Sequence, residues 1–353
     1  LQVASMNKLI DHMIAQPEDY PIKASWIQTA NQIACGGVDN ERTLEAFGKL
    51  DFNVIVDLFM TPSAMAFGDM FLPVTTFPER NGIRCGDGTQ RGETINAAVP
   101  PLGECLSDME INLKLGRRFN SEAWPWETVE DMFSHILEGT GMDFEQVREN
   151  APEYLPFEYE KYKTGRMRED GQAGFQTPSG RLELYSLGLE FLGCDPLPRY
   201  IEPTMTPYSQ PELAQKYPLV LTTGARRHNT FHSENRQDGR LRAVHPEPTV
   251  QIHPQSAEEL GVRDGQWVWV EGPVGLTGRV ARAKRVAEVT PVVDPRVVST
   301  DHGWWHPEAD PEDLYDVNEL NINNLVSWSS GKTGVGANWK CLLCRIYPCK
   351  EGE

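Results

Sequence analysis

No stretch of the chain approaches the about 18 consecutive apolar residues that a membrane-spanning helix needs, so the sequence offers no transmembrane candidate. Basic residues are scarce relative to acids, 33 Lys and Arg against 51 Asp and Glu, for a formal net charge of −18. General nucleic-acid binding needs a basic face and is disfavoured by that balance; an acidic, solvated surface explains it more simply. The seven cysteines, at 35, 85, 105, 194, 341, 344 and 349, are odd in number and mostly scattered, which excludes a disulfide framework. There is no phosphate-binding loop of the GxxxxGK[ST] type, and GDGTQRG has no strand before it. The opening LQVASMNKLIDHMIAQ lacks the charged, apolar and small-residue regions of a signal peptide. It reads as a short amphipathic helix, and because the first residue is Leu1 the chain is expected to be part of a longer polypeptide.

What is present is globular. The 353 residues, nine of them Trp, suffice for two or three domains with a sizeable core. FNVIVDLF is a nearly continuous apolar run, the pattern of a parallel strand buried on both faces. Thr61-Pro62 then supplies a helix cap and a first-turn proline, SAMAFGDM a short helix and MFLPV a second strand. This βαβ-like unit puts Asp57 and Thr61 at a strand's carboxyl end, where ligands bind in open α/β sheets. Each is either a ligand contact or a local turn and cap residue. The preceding stretch repeats the logic: SWIQTA a strand, NQIACGG a loop carrying Asn31, DNERTLEAFGKL a helix.

SDMEINLKLGRRF and TVEDMFSHILEGTG have helical periodicity, separated by Pro-rich connections. In GFQTPSGRLELYS a turn is expected to feed a strand over RLELYS; the serine of TPSG lacks the strand–turn–helix setting of a nucleophile elbow. From about 205–216 onward the style changes. YPLVLTT, the alternating WVWVEGP, GLTGRVARAKRV, TPVVDPRVVST and CLLCRIY are short strands. SAEELGV between them is a short helix with Ser256 and Glu259 spaced as a capping box and Gly261 as its stop. Many short strands around one helix predict a β-barrel-like domain.

Candidate chemistry centres on LTTGARRHNTFHSENRQ, residues 221–237. Residues 226–245 hold five Arg and two acids, a local excess of about +3 in an acidic protein. Arg forks and backbone N–H groups beyond Gly224 suit phosphate oxygens; the alternative is pairing with surface carboxylates. Cys341-x-x-Cys344 has zinc-like spacing but reads as a strand, whose side chains three apart face opposite ways. His302 and His306 stand four apart, but Gly303 and Pro307 disfavour the helix a zinc pair needs, so DHGWWHPE is expected to be a loop packing two Trp. The Asn-rich NELNINNLVS is either a reader of a heterocycle or a turn.

Together these segments resemble the catalytic subunits of molybdopterin-dependent oxidoreductases of the dimethyl-sulfoxide-reductase type. LTTGARRHNTFHSENRQ, PEPTVQIHPQSAEELGVRDGQWVWVEGPVG and VVSTDHGWWHPE resemble that family's molybdopterin-dinucleotide-binding domain, a double-psi β-barrel; VIVDLFMTPSAMAFGDMFLPVTTFPERNG resembles its strand–helix–strand for a nucleotide end. The resemblance implies an α/β segment with dinucleotide-binding-like βαβ units on a parallel sheet over 1–110, a helical and Pro-rich connection over 111–212, and the barrel over 213–353. It implies a cofactor-binding set of Asn31, Asp57, Thr61, Asp69, Thr223, Gly224, Arg226, His232, Ser233, Arg236, Gln237 and Asn323, with no catalytic residue or metal ligand in this chain. The family's Gly-x-Asn-Pro is Thr-Ala-Asn-Gln here, so Asn31 carries over without the proline. The implied cofactor is molybdopterin guanine dinucleotide, two per enzyme, with molybdenum or tungsten and an iron–sulfur cluster in a missing N-terminal half. That half is the implied first partner, beside an iron–sulfur electron-transfer subunit and a membrane anchor, in bacterial periplasm or cytoplasm. The implied activity is two-electron redox such as oxygen-atom transfer or dehydrogenation, with the chain inactive alone. The alternative is a free-standing nucleotide- or partner-binding module.

Overall fold

The computed structural model describes residues 6–85, 91–150, 153–154, 159–225, 227–327, 337–350 and 352. Helix α1 (Met6–Ala15) buries Ile10 and Met13, three apart on one face. Strand β1 (Ala24–Gln28), helix α2 (Asn40–Gly48), strand β2 (Phe52–Asp57), helix α3 (Pro62–Phe67) and strand β3 (Met70–Pro73) follow. The three strands form a parallel sheet in the order β1-β2-β3. Residues Asn53 to Val56 of β2 are all buried, as the continuous apolar run implies. Ile10, Met13, Ile27, Phe47, Ile55 and Ala64 share one core. Thr61 caps α3 by accepting from the Ala64 N–H, with Pro62 in the first turn, as the sequence predicts. The expected loop NQIACGG is instead a five-residue π-helical turn, Gln32–Gly36, held by the Asn31 side chain.

The middle of the chain has its own small core. Strands β4 (Gly82–Cys85), β5 (Arg91–Ile95) and β6 (Glu153–Tyr154) pair antiparallel. Helices α4 (Asp108–Phe119) and α5 (Val129–Leu137) each start with a capping box, Ser107/Glu110 and Thr128/Asp131. Together with α6 (Phe144–Asn150), these helices bury Leu113, Met132, Phe133, Leu137 and Phe144. RLELYS, expected as a strand, is not one. Leu182 and Leu184 stand 70% and 80% exposed, so the alternation has neither a core to face nor a strand to pair with.

The last part is a closed barrel of six strands: β7 (Leu219–Ala225), β8 (Thr249–Ile252), β9 (Trp267–Pro273), β10 (Val280–Val289), β11 (Val297–Asp301) and β12 (Leu342–Pro348). Their order is β10-β8-β11-β7-β12-β9, returning to β10. The β10–β8 and β11–β7 pairs are parallel and the others antiparallel, so closure leaves no unpaired sheet edge. Leu221, Val250, Ile252, Val268, Val270, Val298, Leu342 and Ile346 fill the interior, each contributing about 1.5–3 kcal/mol by leaving water. Strand β9 departs from the strict alternation expected of it: Val268, Trp269 and Val270 are all buried, because the Arg282 guanidinium lies over the Trp269 ring at 3.8 Å. Helix α7 (Pro254–Leu260) begins earlier than the Ser256/Glu259 spacing suggests. His253 is its cap, and Ser256 lies inside, donating to the Pro295 carbonyl. Gly261 ends it at φ 65°, as the sequence predicts.

By packing, the chain divides into one unit of Leu1–Ile55, Met60–Phe71 and Arg199–Glu353, and another of Val56–Phe59 and Leu72–Pro198. No helix among the described residues is long and apolar enough to cross a membrane.

Gly116 in α4 gives a test of packing against propensity. Alanine favours a helix over glycine by about 1 kcal/mol, but a Cβ there meets the Trp124 ring at 2.1 Å. Overpacking of that kind costs about 1–3 kcal/mol. Gly116→Ala is therefore expected to lower the urea midpoint; a raised midpoint shows that Trp124 moves aside freely.

Candidate functional site

The site is built at the carboxyl end of β7. Its alternation turns Leu219, Leu221 and Thr223 inward, and the strand ends on Gly224 at φ 82°. A Cβ at Gly224 would fall 2.8 Å from Lys340 Nζ, so the glycine keeps the backbone open beside that cation. Thr223 ties the neighbouring segment down: its N–H and Oγ1 both donate to the Trp339 carbonyl, at 3.0 and 2.8 Å. The Thr223 carbonyl in turn accepts from Lys340 Nζ.

Below the strand end lies a buried charge network. Arg236 is 1% exposed and stacks on Trp304 at 3.7 Å. Its Nε donates to the Gly303 carbonyl at 2.7 Å, and its Nη2 to the His232 and His302 carbonyls at 3.0 and 3.2 Å. Arg285 is fully buried, its Nε on Thr300 Oγ1 at 2.9 Å and its Nη1 on the Lys284 and Leu320 carbonyls. Burial pushes each guanidinium down to about 10, against the opposing pull of Asp301. Asp301 Oδ2 accepts from Trp304 Nε1 at 2.6 Å and lies 4.0 Å from Arg236. Burial raises the Asp301 carboxyl, but His245, Arg285 and Arg236 outweigh it and hold the group below its usual value. Two guanidiniums against one carboxylate leave the strand end with a buried positive excess.

Above this network three side chains converge. His232, held at a left-handed φ of 51°, faces His302, with His232 Nδ1 and His302 Nε2 2.6 Å apart. Cys35 joins them from the π-helical turn; the ligand atoms of Cys35, His232 and His302 all lie within 4.8 Å of one another. Cys35, Gly224, His232, His302, Asn338, Trp339 and Lys340 border a cleft of about 420 Å³. His302 Nδ1 is buried there and finds no partner among the described residues.

The structure thus gathers Thr223, Gly224, His232, Ser233 and Arg236 at one strand end, but in different roles. Gly224 and His232 border the cleft, while Thr223 and Arg236 are committed to backbone carbonyls. Ser233 is buried, hydrogen-bonds Cys35, and its carbonyl accepts from Trp305 Nε1 at 3.3 Å. Gln237 is half-buried, with its Oε1 unpartnered among the described residues. Asn323 is fully buried. Its Nδ2 donates to the Cys35 and Gly37 carbonyls at 3.3 and 2.9 Å, while Asn321 holds the Ile33 carbonyl at 2.6 Å. The Asn-rich stretch is therefore a brace for the Cys35 turn.

Asn31 and Thr61 meet through α3. Ser63 Oγ donates to Asn31 Oδ1 at 2.7 Å, and Thr61 caps the same helix. Asp69 bonds Asn53, its Oδ2 accepting from the Asn53 N–H at 2.7 Å. Asp57 lies in the other packing unit, its Oδ1 accepting from the Leu58 N–H at 2.7 Å. Arg226 lies outside the described residues. Cys35, His302, Lys340, Asp301 and Arg285 were not singled out from the sequence as cleft or network residues. Cys35 and His302 stand too far apart in the chain for any local spacing to join them; the only local signal was His302 in DHGWWHPE, whose two Trp are indeed buried.

Comparison with known proteins matches two parts of the chain. The family model described as Molydopterin dinucleotide binding domain matches residues 219–340, and that described as Molybdopterin oxidoreductase matches residues 3–118. The chain is similar to acetylene hydratase of Syntrophotalea acetylenica, 32% identical over 84% of this chain and 39% of the relative. It is similar to dopamine dehydroxylase of Eggerthella lenta, 28% identical over 83% of this chain and 35% of the relative. The same holds for dimethyl sulfoxide reductase of Escherichia coli, 28% identical over 82% and 38%. Among solved structures, acetylene hydratase from Pelobacter acetylenicus superposes with a TM-score of 0.85 at 30% identity, covering 97% of this chain and 46% of that one. The chain thus spans about two-fifths of the length of the curated relatives it matches.

The cleft also has a pH signature. Burial, the neighbouring His232 and the nearby cations depress His302 from 6.5 to about 4. The folded chain therefore takes up this proton less readily than the unfolded chain. Its stabilising share is complete above about pH 6.5 and is lost as pH falls toward 4, by about 3 kcal/mol in all. Urea midpoints measured across that window should fall with pH, and His302→Gln should flatten the fall; an unchanged slope in the variant places the titration elsewhere.

Proposed function

Because this chain belongs to the molybdopterin oxidoreductase family of the dimethyl-sulfoxide-reductase type, we propose that its barrel holds the pyrophosphate and guanine-nucleotide ends of a molybdopterin guanine dinucleotide. The observation that carries this is the strand end itself: a buried positive excess from Arg236 and Arg285, topped by Lys340 beside the open backbone at Gly224. The residues fit such a group. An anion gains there from charge that water does not screen, and His302 Nδ1 is a buried polar atom facing the cleft with no protein partner. Lys340 and Gly224 would bind the phosphates, Arg236 would hold the loop that presents them, and Trp339 would help exclude water. The same reading takes the barrel as the double-psi type and the β1-β2-β3 segment as the holder of a second nucleotide end, with Asn31, Thr61 and Asp69 on it; Asp57 is carried over from the family resemblance alone.

In this proposal the chain serves an enzyme with two such cofactors and molybdenum or tungsten, which supply the electron-transfer or Lewis-acid chemistry when bound. The protein supplies position and electrostatics. Reactions of the relatives, by name, include hydration and dehydroxylation beside reduction, so the proposal is two-electron redox such as oxygen-atom transfer or dehydrogenation without a named substrate. An iron–sulfur cluster and electron-transfer and membrane-anchor subunits belong to the same proposal, outside this chain.

Phosphate recognition is testable directly. GDP is expected to raise the melting temperature of the chain while guanosine does not, and Lys340→Met should weaken GDP binding about tenfold, the loss of one charge-assisted contact of about 1.5 kcal/mol. Equal effects of GDP and guanosine, or an unaffected Lys340→Met, would sink the assignment.

A further inference from the structure

We propose that Cys35, His232 and His302 form a site for one soft, closed-shell metal ion, Cu+ or Zn2+, held by a thiolate and two imidazoles. Among the described residues these three bring their ligand atoms within 4.8 Å of one another. Zinc bonds of about 2.0–2.1 Å to nitrogen and about 2.3 Å to sulfur need only a modest closing of that triangle. The His232 Nδ1 and His302 Nε2 atoms lie 2.6 Å apart, within hydrogen-bond distance of each other. A metal ion would replace that contact, parting the rings by about 1 Å to reach the same bond lengths.

The three ligands arrive on separately anchored backbone, and metal sites depend on such anchoring shells. Cys35 rides on a turn whose carbonyls are held by Asn321 and Asn323, and it hydrogen-bonds Ser233. Arg236 grips the carbonyls of His232, His302 and Gly303. Gly303 is required there: at φ 77° a Cβ would strike the His232 carbonyl at 2.7 Å. These contacts fix the backbone on both sides of the cleft and leave the ring of His302 with a buried Nδ1 that no described residue satisfies.

Ligand type and charge select the ion. No carboxylate belongs to the triad, so oxygen-seeking Mg2+ or Ca2+ has nothing to bind. Thiolate and imidazole suit soft and borderline ions. Arg236 and Lys340 act on the cleft as cations, opposed by Asp301 and Glu234. A thiolate–Cu+ pair is neutral and is not repelled by them, whereas Zn2+ retains one positive charge. The expected order is Cu+ tighter than Zn2+, with no measurable uptake of Mg2+.

Cys35, His232 and His302 line the same cleft whose Gly224 and Lys340 are proposed for phosphate, and the metal reading does not depend on that assignment. Metal uptake is read without nucleotide, so either proposal can fail alone. The test is anaerobic competition of the full chain against a chromophoric Cu+ chelator and, separately, a chromophoric Zn2+ chelator. One ion per chain is expected. Cys35→Ser and His302→Gln should each lower the affinity by about tenfold or more, while Cys341→Ser with Cys349→Ser leaves it unchanged. His302→Cys, which restores a soft ligand, should retain tight binding and so separates ligation from misfolding. Absence of stoichiometric uptake, unchanged affinity in Cys35→Ser, or loss of binding in the Cys341/Cys349 variant overturns the proposal.

Discussion

One buried carboxylate organises the functional end of the barrel. Asp301 sits between Arg236 and Arg285 and anchors the indole of Trp304. Taking three charged groups out of water costs several kcal/mol per ion, and the charges here do not balance. The guanidiniums place most of their donors on main-chain carbonyls, Gly303, His232 and His302 for Arg236, Lys284 and Leu320 for Arg285, while Arg236 Nη1, Arg285 Nη2 and Asp301 Oδ1 are buried without a hydrogen-bond partner among the described residues. Each arginine thereby fixes a loop, and the pair faces the single carboxylate of Asp301. The network stabilises a geometry more than it stabilises the fold, the role for which buried ion pairs are best suited.

That geometry has consequences upward. Because Arg236 holds the 232–236 loop and the 302–303 turn from beneath, the two imidazoles face each other across the cleft floor. Because Asn321 and Asn323 hold the π-helical turn across 288 residues of sequence, Cys35 completes the floor from a distant segment of the chain. The positive excess left by two arginines and one aspartate then points toward the open backbone at Gly224 and toward Lys340. Such a strand end suits an anion, because dipoles and charges set in advance need no reorganisation when one arrives.

Local patterns were read well where one interaction range decides the outcome. Thr61-Pro62 starts a helix and Gly261 stops one because caps act over a single turn. Asn53 to Val56 of FNVIVDLF are buried, as a strand covered on both faces requires, but Phe52, Leu58 and Phe59 at the ends of the run are exposed. The misreadings share a cause. RLELYS alternates but meets no second strand among the described residues, Ser256 resembles a cap but His253 caps the helix three residues earlier, and Trp269 breaks alternation because Arg282 shields it. In each case a neighbour not visible in the local window decides.

The same division runs through the site. By itself the sequence determined the order of the elements, the basic loop after Thr-Thr-Gly and the family that these segments resemble, because composition, periodicity and linear motifs are properties of the chain. Only the tertiary structure decided that Arg236 faces carbonyls, that Asn323 braces a turn, and that Cys35, His232 and His302 meet. Those outcomes depend on closure of the barrel and on burial, which turns an arginine from a solvated anion-binder into a fixed donor whose best remaining partners are backbone oxygens.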